Sequence, residues 1–231
     1  MMKGICFIPA RGGSQRVPRK NIREFNGTTM LDLTLKSVID SKSFEKIILS
    51  SDDKEILDKA SAYKEITIHK REPELSDDKA TVFNVFHHLL LQNQGYDFLA
   101  GVLVTSPFKT EKHIREAVEL FKSHSGEKNV ISVTNFAYPP QFGFQINKES
   151  KELKMLFPEV FAKTTNSKFM EPFCHNNGVI WVGSVKNYLE NKTFYKGTII
   201  GYEMDELSSF DIDYPYQFEI AELLAKKMNK Q

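Results

Sequence analysis

Two stretches gather most of the residues that could do chemistry together. The first is IPARGGSQRVPRKN, residues 8–21, which sets Arg11, Arg16, Arg19 and Lys20 beside Gly12 and Gly13 with no acidic residue before Glu24. Guanidinium and ammonium groups form charge-assisted hydrogen bonds to phosphate oxygens. Glycines let a backbone approach a ligand closely and expose its N–H groups. Pro9 and Pro18 stiffen the loop and reduce the entropy lost on binding. The second stretch is SSFDIDYPYQFEIAE, residues 208–222. Asp211 and Asp213 flank one apolar residue, and in an extended segment such a pair shares a face. Two neighbouring carboxylates repel unless a cation neutralises them. Hard carboxylate oxygens suit Mg²⁺, which also seeks phosphate oxygens. The plainer alternatives are a solvated basic turn for the first stretch and, for the second, a helix cap made by Asp213.

Smaller candidates lie between these two. In REPELSDDKAT, residues 71–81, Arg71 stands in a loop just before a helix start, where it can meet a phosphate or a pyrimidine carbonyl. The competing reading is an exposed Arg71–Glu74 pair of little energetic weight. Ser51 and Asp52 in SSDDKEI read as a helix cap rather than as catalytic groups. His175 precedes an apolar run, where a lone histidine is usually a structural donor. The basic loop is neither a G-x-x-x-x-G-K-[ST] loop nor a G-x-G-x-x-G fingerprint, so kinase-like and dinucleotide readings lose support.

The elements that must position these residues alternate along the chain. Strand-like runs GICFIP, KIILS, EITIH, FLAGVLVTS and NVISVT are separated by helical patterns in MLDLTLKSVIDS, DDKEILDKASAY, DDKATVFNVFHHLLLQNQ and TEKHIREAVELFKSH. Leu31, Leu35 and Val38 share one helical face. FLAGVLVTS is apolar throughout, as for a central strand buried on both faces. The alternation predicts a mostly parallel sheet with helices on both sides. Ligands of such sheets bind beyond the carboxyl ends of the strands, where the basic loop falls. After Thr134 the period is lost. Residues 135–175, aromatic and broken by proline, read as an inserted excursion whose Phe and Met content suits a subunit interface. NGVIWVG and TIIGYEM then read as further strands. YPYQFEIAELLAKKM closes the chain as an amphipathic helix, with Phe218, Ala221, Leu224 and Ala225 near one face.

Bulk properties narrow the classes. The 231 residues, 41% hydrophobic and 26% charged, suit one domain over 1–231 with a core of its own. Lys and Arg number 31 against 30 Asp and Glu, which gives no reason to expect nucleic acid or a membrane surface as partner. Cys6 and Cys174 form no disulfide framework or zinc spacing, and Cys6 reads as a buried thiol. With no signal-like or membrane-spanning run, the expected compartment is a reducing cytoplasm.

The chain resembles the CMP-sialic acid synthetase family, the cytidylyltransferases that activate nonulosonic acids, from about Ile8 to Glu222. The family signature I-P-A-R-x-x-S-x-x-x-P-x-K-N is matched by Ile8, Pro9, Ala10, Arg11, Ser14, Pro18, Lys20 and Asn21. Arg71, Glu74, Leu75, Asp78 and Ala80 match a second stretch, with Thr81 beside the usual serine position. Thr105, Ser106, Pro107 and Thr110 match a third, with Lys109 in place of Arg. The ending S-x-D-I-D matches Asp211 and Asp213. The resemblance implies a three-layer α/β, Rossmann-like nucleotidyltransferase fold, with residues 135–175 mediating a homodimer. It implies that Arg11 and Lys20 hold the CTP triphosphate and act in catalysis with Asp211. Ala10, Gly12, Gly13, Ser14, Asn21, Arg71 and Thr81 would complete the nucleotide site, and Asp211 and Asp213 would bind Mg²⁺. Ser106, Gln141, His175 and Asn177 would meet the sugar. Leu103 replaces a glutamine of the sialate enzymes, while the Y-P-x-Q run and His175 look like the pseudaminate branch. The implied reaction joins CTP to a nine-carbon keto-acid sugar and releases pyrophosphate. Cytidylyl transfer to an eight-carbon octulosonic acid and a non-catalytic nucleotide-binding regulator are the alternatives.

Overall fold

The structure is a computed structural model that describes residues 2–77 and 80–228. Asp78, part of the second matched stretch, lies outside the described residues. The chain opens with β1 (Gly4–Pro9) and the small ribbon β2 (Glu24–Phe25) and β3 (Thr28–Thr29). It continues with α1 (Met30–Ser41), β4 (Lys46–Ser51), α2 (Lys54–Ala60), β5 (Ile66–Lys70), α3 (Val82–Gln92) and β6 (Phe98–Val102). Then come α4 (Glu111–Ser123), β7 (Asn129–Asn135), the hairpin β8 (Phe144–Ile146) and β9 (Leu153–Met155), and α5 (Pro158–Phe161). The last elements are β10 (Cys174–Ser184), α6 (Val185–Asn191), β11 (Ile199–Glu203) and α7 (Pro215–Met228).

Seven strands form one sheet in the order β11-β7-β10-β6-β1-β4-β5. The uniformly apolar β6 takes the middle position and all five of its residues are buried, as its composition predicts. Its Gly101 is required by packing: a Cβ there would sit 2.4 Å from the Phe86 ring. The pairings of β1 with β4 and β6, of β4 with β5 and of β7 with β11 are parallel. The exception is β10, antiparallel to both β6 and β7 and irregular between Asn176 and Trp181. Its reversal follows from the excursion. Residues 135–175 carry the chain out past the end of β7, so β10 re-enters from that same end.

Alternation along β1 divides the core in two. Cys6 and Ile8 face one layer with Leu31, Leu35 and Val38 of α1, Ile114 and Phe121 of α4, and Phe218 and Ala221 of α7. Ile5 and Phe7 face the other with Val85, Phe86 and Leu89 of α3 and Tyr188 of α6. At about 25 cal/mol per Å² of apolar area, each of the Leu, Ile, Val and Phe side chains among these stabilises the fold by about 1.5–3 kcal/mol before entropy is counted. The α2 cap differs from the sequence expectation. Asp53, not Ser51 or Asp52, is the N-cap and accepts from Glu55 N and Ile56 N. Ser51 Oγ accepts from Asp53 N, which orients the cap. The excursion leaves apolar side chains in the open: Leu153 is 60% exposed, Leu156 54% and Phe169 77%. No helix among the described residues is long and apolar enough to cross a membrane.

Candidate active site

The basic loop leaves the carboxyl end of β1 and folds back over the sheet. Ala10 is buried and extends the β1–β4 pairing through its N–H to Ser50 O (3.0 Å), so it braces the loop from below rather than facing ligand. Gly12 is held at the start of α2: its N–H donates to Asp52 Oδ1 (2.9 Å), and a Cβ would lie 2.5 Å from Asp53 Oδ2. Gly13 has open space where a side chain would stand. Asn21 is buried, and its amide donates to Arg11 O (3.0 Å), clamping the two ends of the loop together. Arg19 adopts φ 54° and turns toward α2, where it pairs with Glu55 and lies 3.9 Å from Asp53 Oδ2. It therefore leaves Arg11, Arg16 and Lys20 as the loop cations around the cavity.

That cavity, of about 320 Å³, is lined by Arg11, Ser14, Arg16, Lys20 and Asn21 of the loop, by Leu103 and Thr105 after β6, and by Asp213. A second cavity, of about 210 Å³, lies against it and shares Pro9, Arg11 and Leu103; its other walls include Arg71, Ala80, Val82 and Val85. The pair of cavities thus offers a charged compartment and a more apolar one, bridged by Arg11. Arg71 is no surface residue. It is 8% exposed, and Nε donates to Ser50 Oγ (3.2 Å) and NH2 to Ser50 O (2.8 Å). The exposed Arg71–Glu74 reading is therefore set aside. Thr81 is the N-cap of α3, exchanging bonds with Asn84, and stands between the wall residues Ala80 and Val82 without lining the cavity itself.

The two aspartates reach the loop from a segment with no regular structure. Ile212 is fully buried, and its N–H donates to Thr105 O (3.0 Å), anchoring the aspartates beside the end of β6. Lys20 Nζ donates to Ile212 O and lies 3.2 Å from Asp213 Oδ1. Arg16 lies 3.1 Å from Asp213 Oδ2, its guanidinium stacked on Tyr214. Asp213 does not cap α7 with its side chain; instead Gln217 Oε1 accepts from Asp213 N and Tyr214 N. Asp211 behaves differently. Its Oδ1 is buried with no hydrogen-bond partner, and burial, with the Asp213 charge, pushes its pKa above the ordinary carboxylate range despite a bond from Thr105. Asp211 thus keeps one buried carboxylate oxygen uncommitted, two residues from Asp213. The donor set fits Mg²⁺.

The sugar-side expectations fare unevenly. Asn177 is buried with both halves of its amide in use: Oδ1 accepts from Ser132 Oγ (2.6 Å) and Val179 N (3.2 Å), and Nδ2 donates to Ser209 Oγ (2.8 Å) and approaches Met204 Sδ (3.5 Å). It ties β7, β10 and the segment leading to Asp211 together and has no polar atom to spare for a sugar. His175 is exposed, its ring 4.7 Å from that of Phe136. Gln141 is buried, donates to Glu171 O (2.7 Å) and keeps Oε1 unpartnered. Ser106 Oγ is likewise buried and unpartnered.

Sequence reasoning assigned no role to two supports of the site, Ser50 and Lys109. Ser50, at the end of β4, holds Arg71 through both its hydroxyl and its carbonyl. Lys109 is 3% exposed and donates to Thr34 Oγ1 and Ser106 O, each at 2.8 Å, pinning the loop after β6 to α1. Burial pushes its pKa down to about 7, against the pull of Asp211. The one signal in the sequence was a lysine in an otherwise uncharged run after the central strand.

Known proteins match the chain in sequence and in fold. Residues 5–174 match the family model described as cytidylyltransferase. A pseudaminic acid cytidylyltransferase of Campylobacter jejuni is 32% identical over 229 residues, covering 97% of each chain. A CMP-N,N'-diacetyllegionaminic acid synthase of Legionella pneumophila is 32% identical over 228 residues, covering 96% of each. An N-acylneuraminate cytidylyltransferase of Escherichia coli is 32% identical over 229 residues, 99% of this chain and 54% of that one. In fold, a CMP:2-keto-3-deoxy-manno-octonic acid synthetase solved with CTP superposes with a TM-score of 0.71 at 12% identity, over 98% of this chain and 99% of that one. With the loop, the cavities and the aspartate pair arranged as described, the chain belongs to the cytidylyltransferase family of nucleotidyltransferases.

Proposed function

We propose that the chain transfers a cytidylyl group from CTP to a nonulosonic acid, giving the CMP-sugar and pyrophosphate. The observation that carries this reading is the charged cavity, lined by Arg11, Arg16, Lys20 and Asp213, with Asp213 paired to both Arg16 and Lys20 and Asp211 buried two residues away. The triphosphate occupies this cavity, and the pyrimidine enters the adjoining one beside Arg71. The anomeric hydroxyl attacks the α-phosphorus in line; the new O–P bond forms as the bond to the β-phosphate oxygen breaks and pyrophosphate leaves. Charge stabilisation on phosphate oxygens is most of what such a reaction asks of a protein. Lys20 and Arg11 supply fixed donors, and the Asn21 clamp on Arg11 O keeps the loop from rearranging as charge moves. Asp211 and Asp213 would hold Mg²⁺, which neutralises phosphate charge when bound.

The relatives name pseudaminic, legionaminic and neuraminic acids at equal identity, so the acceptor rests on this chain's own residues. Leu103 on both cavity walls and the Tyr138–Gln141 run favour a pseudaminate- or legionaminate-type sugar. The exposed apolar surface of the excursion supports a homodimer, and two unpaired thiols suit a reducing cytoplasm. Pyrophosphate release from CTP should be measured with pseudaminate, legionaminate, N-acetylneuraminate and an eight-carbon octulosonate. Turnover with the first two above the others is expected. Release with the octulosonate alone, or with none, would overturn the reading. Light scattering at micromolar concentration should return a dimer mass; a monomer would refute the interface.

A further inference from the structure

We propose that His69, Glu72 and His88 form a binding site for a transition-metal dication of the zinc class, separate in its residues from the aspartate pair. One ligand atom from each lies within 4.8 Å of the other two. His69 Nε2 is 3.8 Å and His88 Nε2 3.6 Å from the same carboxylate oxygen, Glu72 Oε2. In a tetrahedral site with metal–ligand bonds of about 2.0–2.1 Å, neighbouring ligand atoms stand roughly 3.3 Å apart. Small side-chain rotations therefore close the three onto one ion and leave a fourth position for water.

The site is built rather than incidental. His69 is the next-to-last residue of β5, paired in register with Ser50 of β4, and its Nδ1 lies 3.0 Å from Ser50 Oγ. Such a second bond orients a metal-binding imidazole. Its Nε2 is buried and has no hydrogen-bond partner. A ring nitrogen in that state, aimed at a carboxylate, lacks a cation or a proton. His88 comes from α3 and keeps one competing contact, Gln92 Nε2 at 2.9 Å, which the metal would replace. Two imidazoles and one carboxylate suit zinc and its neighbours, whereas Mg²⁺ and Ca²⁺ seek oxygen ligands. The Arg71 charge nearby weighs against any cation, and only one that bonds strongly to imidazole overcomes it.

The location gives the site a consequence. Glu72 directly follows Arg71, and Ser50 Oγ touches both Arg71 Nε and His69 Nδ1. A bound ion would staple β5 to α3 across the segment that walls the base-side cavity, and so hold Arg71 in place. The experiment needs no turnover. Chelator-stripped protein is titrated with Zn²⁺ in excess Mg²⁺, by calorimetry and by melting temperature, alongside His88→Ala and Glu72→Gln; Co²⁺ absorption reports the ligand set. Wild type should take up one Zn²⁺ per chain at micromolar concentration or below and melt higher with it. Each variant should bind at least about tenfold more weakly, since disturbing even the hydrogen-bond partners of metal ligands costs that much. Glu72 is exposed and His88 half-buried, and circular dichroism checks that the variants fold. No saturable uptake, equal affinity in folded His88→Ala and Glu72→Gln, or a thiolate signature in the Co²⁺ spectrum would overturn the proposal.

Discussion

Replacing Lys20 with alanine tests the site at its most connected residue. From sequence alone a loop lysine contributes little to stability and the substitution should spare the fold. The structure revises that. Lys20 is 12% exposed at its side chain, donates to Ile212 O and pairs with Asp213, so it fastens the loop to the aspartate segment. A hydrogen bond from a charged group contributes about 1.5–3 kcal/mol. The loss should fall toward the lower end, because Arg16 continues to neutralise Asp213 at 3.1 Å. For a chain of 231 residues that corresponds to a melting temperature lower by roughly 3–8 °C. Activity should fall much further. Losing one preorganised donor to developing charge costs about 10²–10³ in kcat. Lys20→Met retains most of the aliphatic stem and should lose the same activity with less packing disturbance. The measurements are thermal melting and pyrophosphate release at saturating CTP. A folded Lys20→Ala or Lys20→Met protein within about threefold of wild-type turnover would refute the phosphate role.

Three further outcomes follow from buried groups. The Asp211 carboxyl has its pKa raised by burial, so the native state binds the proton more tightly than the unfolded chain, and metal-free stability should fall as pH rises from the ordinary carboxylate range through the raised value. Asp211→Asn should remove that slope and leave the metal-free melting temperature equal or higher, while lowering Mg²⁺-dependent activity by about two orders of magnitude; a destabilised variant with normal metal dependence would mean a structural aspartate. Lys109 has the opposite sign: with its pKa lowered to about 7 against an ordinary 10.5, the unfolded chain binds more protons in that window, so stability should rise with pH across it, and Lys109→Met should flatten the rise in melting temperature. Cys6 is fully buried and burial pushes its thiol pKa up, whereas Cys174 is exposed, so a thiol reagent should count one group in the native protein and two in denaturant.

Much of the scaffold was legible because it is local. Leu31, Leu35 and Val38 recur at the helical period, and the uniform apolarity of FLAGV requires burial on both faces, so the helix and the central strand could be read from the residues themselves. The basic loop and the two aspartates were legible as chemistry, since like charges crowd only where an opposite charge is expected. What the sequence could not state is who meets whom across 190 residues. Lys20 and Asp213 become partners only because β1 and β6 lie side by side at the middle of the sheet and Ile212 is pinned to Thr105. Arg19, identical in charge to its neighbours, turns away because α2 offers it Glu55. Asn177, polar and beside a strand, reads as a ligand contact until the fold closes Ser132, Ser209 and Val179 around it. The reversal of β10 was equally hidden, because strand direction depends on the path of the excursion rather than on strand composition. His69 and His88, 19 residues apart on a strand and a helix, carry no local signal at all. Hydrophobic period and charge density are properties of neighbours in the chain. Hydrogen-bond partners, burial of a charge and the sharing of an ion are properties of neighbours in space, and only the closed tertiary structure decides them.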